Sequence, residues 1–100
     1  MATNSTALFR GAAATSNTTL YTVPSGRTAI ITNIAVTNTA TSSATFTLNL
    51  NGVAIQSASS LAANTTAYFD LKQVIAATQT IAGSASATSV NFHISGIEVF

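Results

Sequence analysis

The sequence contains no cysteine and no tryptophan, and only five of its 100 residues are charged. Without cysteine, a disulfide scaffold, a Cys-ligated zinc or iron–sulfur centre and thiol catalysis are all excluded. The basic residues Arg10, Arg27 and Lys72 are widely separated, whereas nucleic-acid binding requires clustered Lys and Arg that neutralise several phosphates. A polybasic membrane-surface patch is excluded for the same reason. The sequence therefore predicts neither a nucleic acid nor a membrane as a partner.

Long apolar runs and helical periodicity are also absent. No stretch approaches the roughly 18 apolar residues of a membrane span. Residues 1–10 have neither the basic first segment nor the apolar stretch of a signal peptide, so we expect no secretion by that route and no membrane anchor. Apolar residues nevertheless make up 47% of the chain, and the net charge is only +1. This combination favours one folded domain over a disordered chain.

Alternation of apolar and polar residues, which is typical of strands, recurs along the chain. It is clearest over residues 44–56, where the apolar side chains at positions 46, 48 and 50 share one face. Asn51 and Gly52 supply the two positive-φ positions of a type I′ hairpin turn. The turn and the alternation predict one register, with Leu50 opposite Val53 and Leu48 opposite Ile55.

Other segments show the same strand pattern and are separated by turns or Ser/Ala-rich loops. Gly96 lies where the alternation of the last strand changes phase, which predicts a β-bulge. Together with the hairpin, these segments predict an all-β fold: a single antiparallel β-sandwich, jelly-roll-like, of about eight strands. The further predicted strands are Thr18–Val23, Thr28–Asn38, Thr65–Leu71, Thr78–Ala82 and Ser89–Phe100, with a weak one near Ala7–Arg10, and the predicted loops are Thr39–Ser43, Ser57–Asn64 and Gly83–Thr88.

Two of these strands carry specific expectations for the core. Thr28–Asn38 has apolar residues on both faces, which predicts a central strand or one covered by a partner subunit; its spacing places Ile30, Ile34 and Val36 on one face. In Thr65–Leu71 the alternation directs Ala67, Phe69 and Leu71 inward and leaves Tyr68 and Asp70 outward.

The first 17 residues differ in composition from the rest. Residues 11–17 include three consecutive alanines and resemble a flexible connector. We therefore expect residues 1–17 to form an N-terminal arm and residues 18–100 to form the β-sandwich domain. Leu8 and Phe9 are the only adjacent pair of large apolar side chains in this arm, and a lone domain has little reason to order them. The sequence thus predicts that Leu8, Phe9 and Arg10 contact a neighbouring subunit.

No combination of side chains predicts catalysis, a cofactor site or a metal site. His93 is the only histidine, Asp70 and Glu98 are the only acidic residues, and neither a nucleophile elbow nor a metal-ligand spacing is present. Alternation places His93 on the non-core face of the last strand, where we expect a solvated or interface histidine. Asp70 and Glu98, like Arg27 and Lys72, are expected to be surface charges. We therefore predict no catalytic, cofactor-binding or metal-binding residues.

Four segments carry a resemblance that covers residues 20–100 and leaves the first nineteen residues unmatched. They are residues 20–31 (LYTVPSGRTAII), 46–53 (FTLNLNGV), 69–71 (FDL) and 91–99 (NFHISGIEV). In this order they resemble segments of small β-sandwich virion proteins from tailed bacteriophages. The resemblance implies a structural, non-enzymatic role on a phage particle, with the protein made in the host cytoplasm. It leaves open whether the protein decorates the capsid or belongs to the neck, tail or a fibre.

The composition favours the capsid surface among these locations. A decoration protein is present in many copies and gains strength from repeated symmetric contacts, and a neutral Thr/Ser-rich exterior suits that task. We expect a capsid cement or decoration protein that forms a homo-oligomer, a trimer, and docks over junctions between major capsid protein subunits. A neck, tail or fibre component is the first alternative. A carbohydrate-binding module, with Tyr21 and Tyr68 as stacking platforms, is the alternative from another class.

Overall fold

The computed structural model describes residues 2–100 as eight strands joined by short turns. Each strand of the sequence-based prediction has a counterpart, although several boundaries differ. The strands are β1 (Thr3–Ala12), β2 (Thr18–Thr22), β3 (Thr28–Asn38), β4 (Ala44–Leu50), β5 (Val53–Leu61), β6 (Thr66–Ile75), β7 (Thr80–Ala85) and β8 (Val90–Val99).

The strands form two four-stranded antiparallel sheets that pack face to face. Sheet A has the order β1-β8-β3-β6, and sheet B has the order β2-β7-β4-β5. Consecutive strands mostly alternate between the two sheets, which is the arrangement of a jelly roll. The predicted fold class, a single all-β antiparallel sandwich of eight strands, is therefore confirmed. The expected central position of β3 is also confirmed, because β3 pairs with both β8 and β6.

The N-terminal segment differs from the expected arm. Residues 3–12 form β1, which pairs with β8 along its length, and Leu8 and Ala13 are 7% and 3% exposed in the core of their own chain. Met1 lies outside the described residues. The alanine-rich composition suggested a connector, but an edge strand needs only a few inward side chains. Leu8 and the half-buried Phe9 supply them in β1, and Ala13 is buried directly after the strand. The segment is part of the sandwich.

The hairpin turn between β4 and β5 forms as predicted, but its register changes two residues away. Asn51 and Gly52 have φ values of 50° and 77°, and Leu50 lies opposite Val53. Leu48 then lies opposite Gln56 instead of Ile55, because the register shifts between positions 48 and 49. A second shift follows, and β5 continues to Leu61 where a loop was expected from Ser57. The Thr47 hydroxyl, which accepts a hydrogen bond from the Ala58 backbone N–H at 3.0 Å, satisfies the backbone where the ladder is irregular.

A bulge was predicted in β8 at Gly96, but β8 has none there. The bulges lie in its two neighbouring strands, β1 and β3. β8 alternates evenly, with Gly96 pointing inward, while β1 shifts at Leu8 and β3 shifts at Thr32. A Cβ atom on Gly96 would collide with the Ile30 carbonyl oxygen and would lie 3.0 Å from Leu8 Cδ1. Only glycine admits this close approach of the β3 backbone. As a result of the shift, Ile31 faces the core together with Ile34, and the expected single face of Ile30, Ile34 and Val36 is wrong.

The boundaries of β6 and β7 also differ from the prediction. β6 extends to Ile75, four residues beyond its predicted end, while Tyr68 and Asp70 point outward as predicted. β7 is shifted to Thr80–Ala85, so Gly83 lies in a strand and not in a loop. A Cβ on Gly83 would lie 3.0 Å from a Leu48 methyl carbon. Close packing therefore requires small residues in β7. In the sequence, the same small residues suggested a loop.

The core lies between the sheets and is built from aliphatic side chains around three aromatic rings. Phe46 contacts Phe69 and Phe92, with ring centroids 6.1 and 6.3 Å apart. At one end of the core, the fully buried Asn38 donates to the Ser42 carbonyl at 2.9 Å and accepts from the Ser89 hydroxyl at 3.1 Å. Because a buried amide must be satisfied, these bonds hold the loops at that end in place.

Replacing Leu8 with alanine tests whether β1 belongs to the sandwich or is an arm. We expect Leu8→Ala to lower the free energy of unfolding by about 2–5 kcal/mol, as for other buried leucines. Arg10→Ala, two residues away and exposed, is the control and should leave stability nearly unchanged. Urea unfolding followed by circular dichroism measures both. Equal stability of Leu8→Ala and the parent protein would show that Leu8 is not a core residue.

Candidate functional site

The three predicted interface residues do not form one surface, because β1 directs their side chains to different faces of sheet A. Leu8 points into the core, and Phe9 is half-buried and packs against it. Arg10 is exposed on the outer face of sheet A, directly opposite His93 of β8. Of the three, only Arg10 has a side chain that is free to contact another molecule without disturbing the fold.

The outer face of sheet A, the face turned away from sheet B, carries an apolar row across three strands. Ile97 of β8 lies opposite Ile30 of β3, which lies opposite Val74 of β6. Residues directly opposite on neighbouring strands have side chains in contact, so the row is continuous. A second row contains Tyr68, which is 74% exposed, and His93, with Ala35 between them. This face is partly apolar, and it also carries Arg10, Asp70 and Lys72, three of the five charged residues of the chain.

A cleft opens along one side of the sandwich, between edge strand β5 of sheet B and edge strand β6 of sheet A. One part has a volume of about 420 Å³, and another part of about 230 Å³ continues it toward the hairpin turn. The first part is lined by apolar side chains and by polar groups from the two edges: Ile34, Leu48, Ile55, Phe69 and Leu71, with Gln56, Tyr68, Asp70 and Gln73. The cleft therefore exposes apolar side chains that a closed sandwich would bury.

Val74 and Val53 stand at the second part of this cleft, on opposite edges. They are 68% and 67% exposed. Burial of such side chains is favourable and their exposure is costly. Exposed apolar groups therefore concentrate around the β5/β6 opening.

Glu98 is not the surface charge that the sequence predicted. It is 7% exposed, accepts a hydrogen bond from the Tyr21 hydroxyl of the opposite sheet, and forms an ion pair with Arg27 at 3.0 Å. The Arg27 guanidinium also lies 3.9 Å above the centre of the Phe100 ring, a cation–π contact. A buried carboxylate is stable only with such partners. Residues 98, 21 and 27 therefore form a structural polar cluster that joins the two sheets.

The cluster changes the pKa of both of its titrating members. The hydrogen bond from Tyr21 and the Arg27 guanidinium lower the pKa of Glu98, although burial acts in the opposite direction. Burial, together with the hydrogen bond to Glu98, raises the pKa of Tyr21 to about 12. At neutral pH the phenol is thus protonated and the carboxylate ionised, and each stabilises the state of the other.

The structure also shows where the other candidate residues, two acidic side chains and the histidine, lie in sheet A. Asp70 is exposed on the outer face of sheet A, as predicted, whereas Glu98 points inward, so the two acidic residues lie on opposite faces of one sheet. His93 points outward, as the alternation predicted. Among residues 2–100, no three His, Cys, Asp or Glu side chains are grouped so that they could hold a metal ion.

Residues 2–100 include no helix of the length and apolar character needed to cross a membrane.

The sequence predicted neither the cleft nor the contribution of Val74. The predicted β6 ended at Leu71, although the outward alternation of Tyr68, Asp70, Lys72 and Val74 continues beyond that point. That continued alternation is the signal that could have extended the strand. The cleft itself has no local signal, because it depends on which strands become sheet edges.

Comparison with known proteins adds no relative: no protein-family model matches the chain, and no curated protein matches it.

The pH dependence of stability tests the polar cluster. Glu98, with its lowered pKa, stabilises the fold above the usual glutamate pKa of 4.5, and this stabilisation is lost as the pH falls. Tyr21, with its raised pKa, stabilises the fold below pH 10.0, and this stabilisation is lost as the pH rises toward about 12. Stability should therefore fall on both sides of neutrality.

Tyr21→Phe should abolish most of the alkaline loss, because the group that titrates there is gone. Tyr68→Phe, which removes an exposed hydroxyl, is the control and should keep the loss. Urea midpoints at about pH 7 and about pH 11 measure the difference. An alkaline loss of the same size in Tyr21→Phe and in the parent protein would contradict the role of the cluster.

Proposed function

We propose that this protein is a non-enzymatic structural component of a phage virion, a capsid cement or decoration protein that forms a homo-oligomer and docks on major capsid protein subunits. The segments that resemble phage virion proteins support this proposal. Residues 20–31 include the end of β2, the following turn and the start of β3, residues 46–53 include the hairpin turn, and residues 91–99 lie in β8. The resemblance thus follows the strands of both sheets and is not confined to one loop.

The observation that carries the proposal is the outer face of sheet A. Its row of Ile97, Ile30 and Val74 is a continuous apolar strip. The polar row of Ser95, Asn33 and Asp70 separates this strip from the exposed ring of Tyr68. Contiguous apolar surface on a folded domain is typical of contact with another protein. The face carries Arg10, Asp70 and Lys72 but no cluster of charges of one sign, which favours contact with a protein surface over binding of an ion or a nucleic acid.

The fold supports the proposal only as an analogy. Jelly rolls occur in viral capsid domains and also in lectins, and fold does not determine function. The carbohydrate-binding alternative needs aromatic platforms, and Tyr21 is engaged with Glu98 and packs against the core. Tyr68 is then the one remaining tyrosine ring available for stacking. A single platform is a weak basis for a sugar site, so the virion role is the better proposal.

Immunogold electron microscopy of the source phage tests the proposal. Antibodies raised against the purified protein should label intact particles evenly over the capsid, and non-immune antibodies of the same class are the control. Label confined to the neck, tail or fibres would replace the capsid assignment with that location. Particles that carry no label anywhere would contradict a virion role.

A further inference from the structure

Strand β6 has an unpaired edge that is rich in exposed side chains. It is the outermost strand of sheet A, with β3 on one side and the cleft on the other. Tyr68 and Val74 are 74% and 68% exposed on it. An edge strand presents free backbone N–H and C=O groups that can pair with another strand. The cleft side of β6 therefore combines unpaired backbone with exposed apolar groups.

The outward side chains of β6 have an order that is complementary to itself. After Thr66, which begins the strand, they are Tyr68, Asp70, Lys72 and Val74. An antiparallel copy of the strand, centred on Leu71, reads the same four positions in reverse. The acidic residue then faces the basic one, and the aromatic residue faces the β-branched one.

We propose that β6 pairs antiparallel with β6 of a second copy of this chain, about a two-fold axis at Leu71. In this register Asp70 lies opposite Lys72 of the partner subunit, and by symmetry the pair occurs twice. Tyr68 lies opposite Val74 of the partner subunit, also twice. Opposite charges and aromatic–β-branched pairs are favourable cross-strand neighbours, and a two-fold interface of this kind is self-complementary.

The pairing also covers the cleft. A two-fold axis perpendicular to sheet A keeps both B sheets on the same side, so the β5/β6 openings of the two copies face each other. Leu71 meets Leu71 of the partner subunit at the axis, and Phe69 meets Gln73 of the partner subunit. Side chains that line the cleft of each copy are thereby removed from water, which supplies an apolar contribution to association.

A lysine on an edge strand can instead protect a sheet against pairing. Here, however, the charge of Lys72 is balanced in the symmetric register by Asp70, and Lys72 is the only basic residue on β6. A protected edge would also not place two strongly exposed apolar side chains on either side of the charges. The charge pattern therefore favours a partner strand that is a second copy of this chain.

The inference goes beyond the proposed virion function and does not depend on it. It concerns the free protein in solution, and it assigns a two-fold pair, whereas a trimer was expected from the sequence. A dimer could exist in a protein with any role, so failure of either proposal leaves the other standing.

Charge reversal tests the register. In D70K the two interface pairs become Lys–Lys, and in K72D they become Asp–Asp, so each variant should raise the dimer dissociation constant by about tenfold or more. An equimolar mixture of D70K and K72D should restore dimers, because each copy then meets opposite charges. The double variant D70K/K72D should also dimerise, because it merely exchanges the two signs. Both positions are exposed, and circular dichroism checks that every variant is folded.

Light scattering coupled to size-exclusion chromatography measures the mass over a wide concentration range. We expect the parent protein to reach twice the chain mass of 10.1 kDa and the two single variants to move to the monomer mass unless they are mixed. A parent protein that stays monomeric would show that the β6 edge does not pair, and a trimer would show a three-fold interface. A dimer insensitive to either reversal would place the interface elsewhere. Each of these three results would overturn the proposal.

Discussion

The pairing of β3 with β8 at the centre of sheet A is the interaction on which the rest of the structure depends. At Gly96 the backbone of β3 comes so close to β8 that no side chain fits between them. The bulges at Thr32 and Leu8 adjust the neighbouring strands to this approach. One shift turns Ile31 and Ile34 into the core together, and the other directs Leu8 over Gly96. The inward faces of three strands are thus set by one glycine.

Polar groups secure the sandwich at both ends of β3. Asn38, its last residue, binds the loops at one end, and Ala29 near its start lies opposite Glu98, which links β8 to Tyr21 of sheet B. Both polar side chains are buried and fully partnered, so they fix the relative position of elements that apolar packing alone would leave adjustable. A chain with so few charges has placed one of its two acidic residues inside.

Local chemistry explains what could be predicted from the sequence. The Asn51-Gly52 turn, the strand alternation of β4 and the outward position of Tyr68 each depend on neighbouring residues only, and the structure has them as predicted. The predicted β4/β5 register was wrong beyond the turn, because the Thr47 hydroxyl and the Ala58 backbone come into contact only after the strands pair. The predicted surface position of Glu98 was wrong because its partners, Tyr21 and Arg27, are distant in the sequence. The N-terminal strand was predicted only as a weak one near Ala7–Arg10, because the small residues around Leu8 gave no alternation, and the structure extends it to Thr3–Ala12.

The β5/β6 side of the sandwich remains open, with apolar side chains at its rim. The proposed two-fold pairing of β6 would cover these side chains. The absence of native cysteine allows a direct measurement. Leu71→Cys should form a disulfide-linked dimer rapidly under mild oxidation, because directly paired residues lie within disulfide reach. Tyr68→Cys is more exposed but does not face its own copy, so it should cross-link slowly. Faster cross-linking of Tyr68→Cys than of Leu71→Cys would contradict the account.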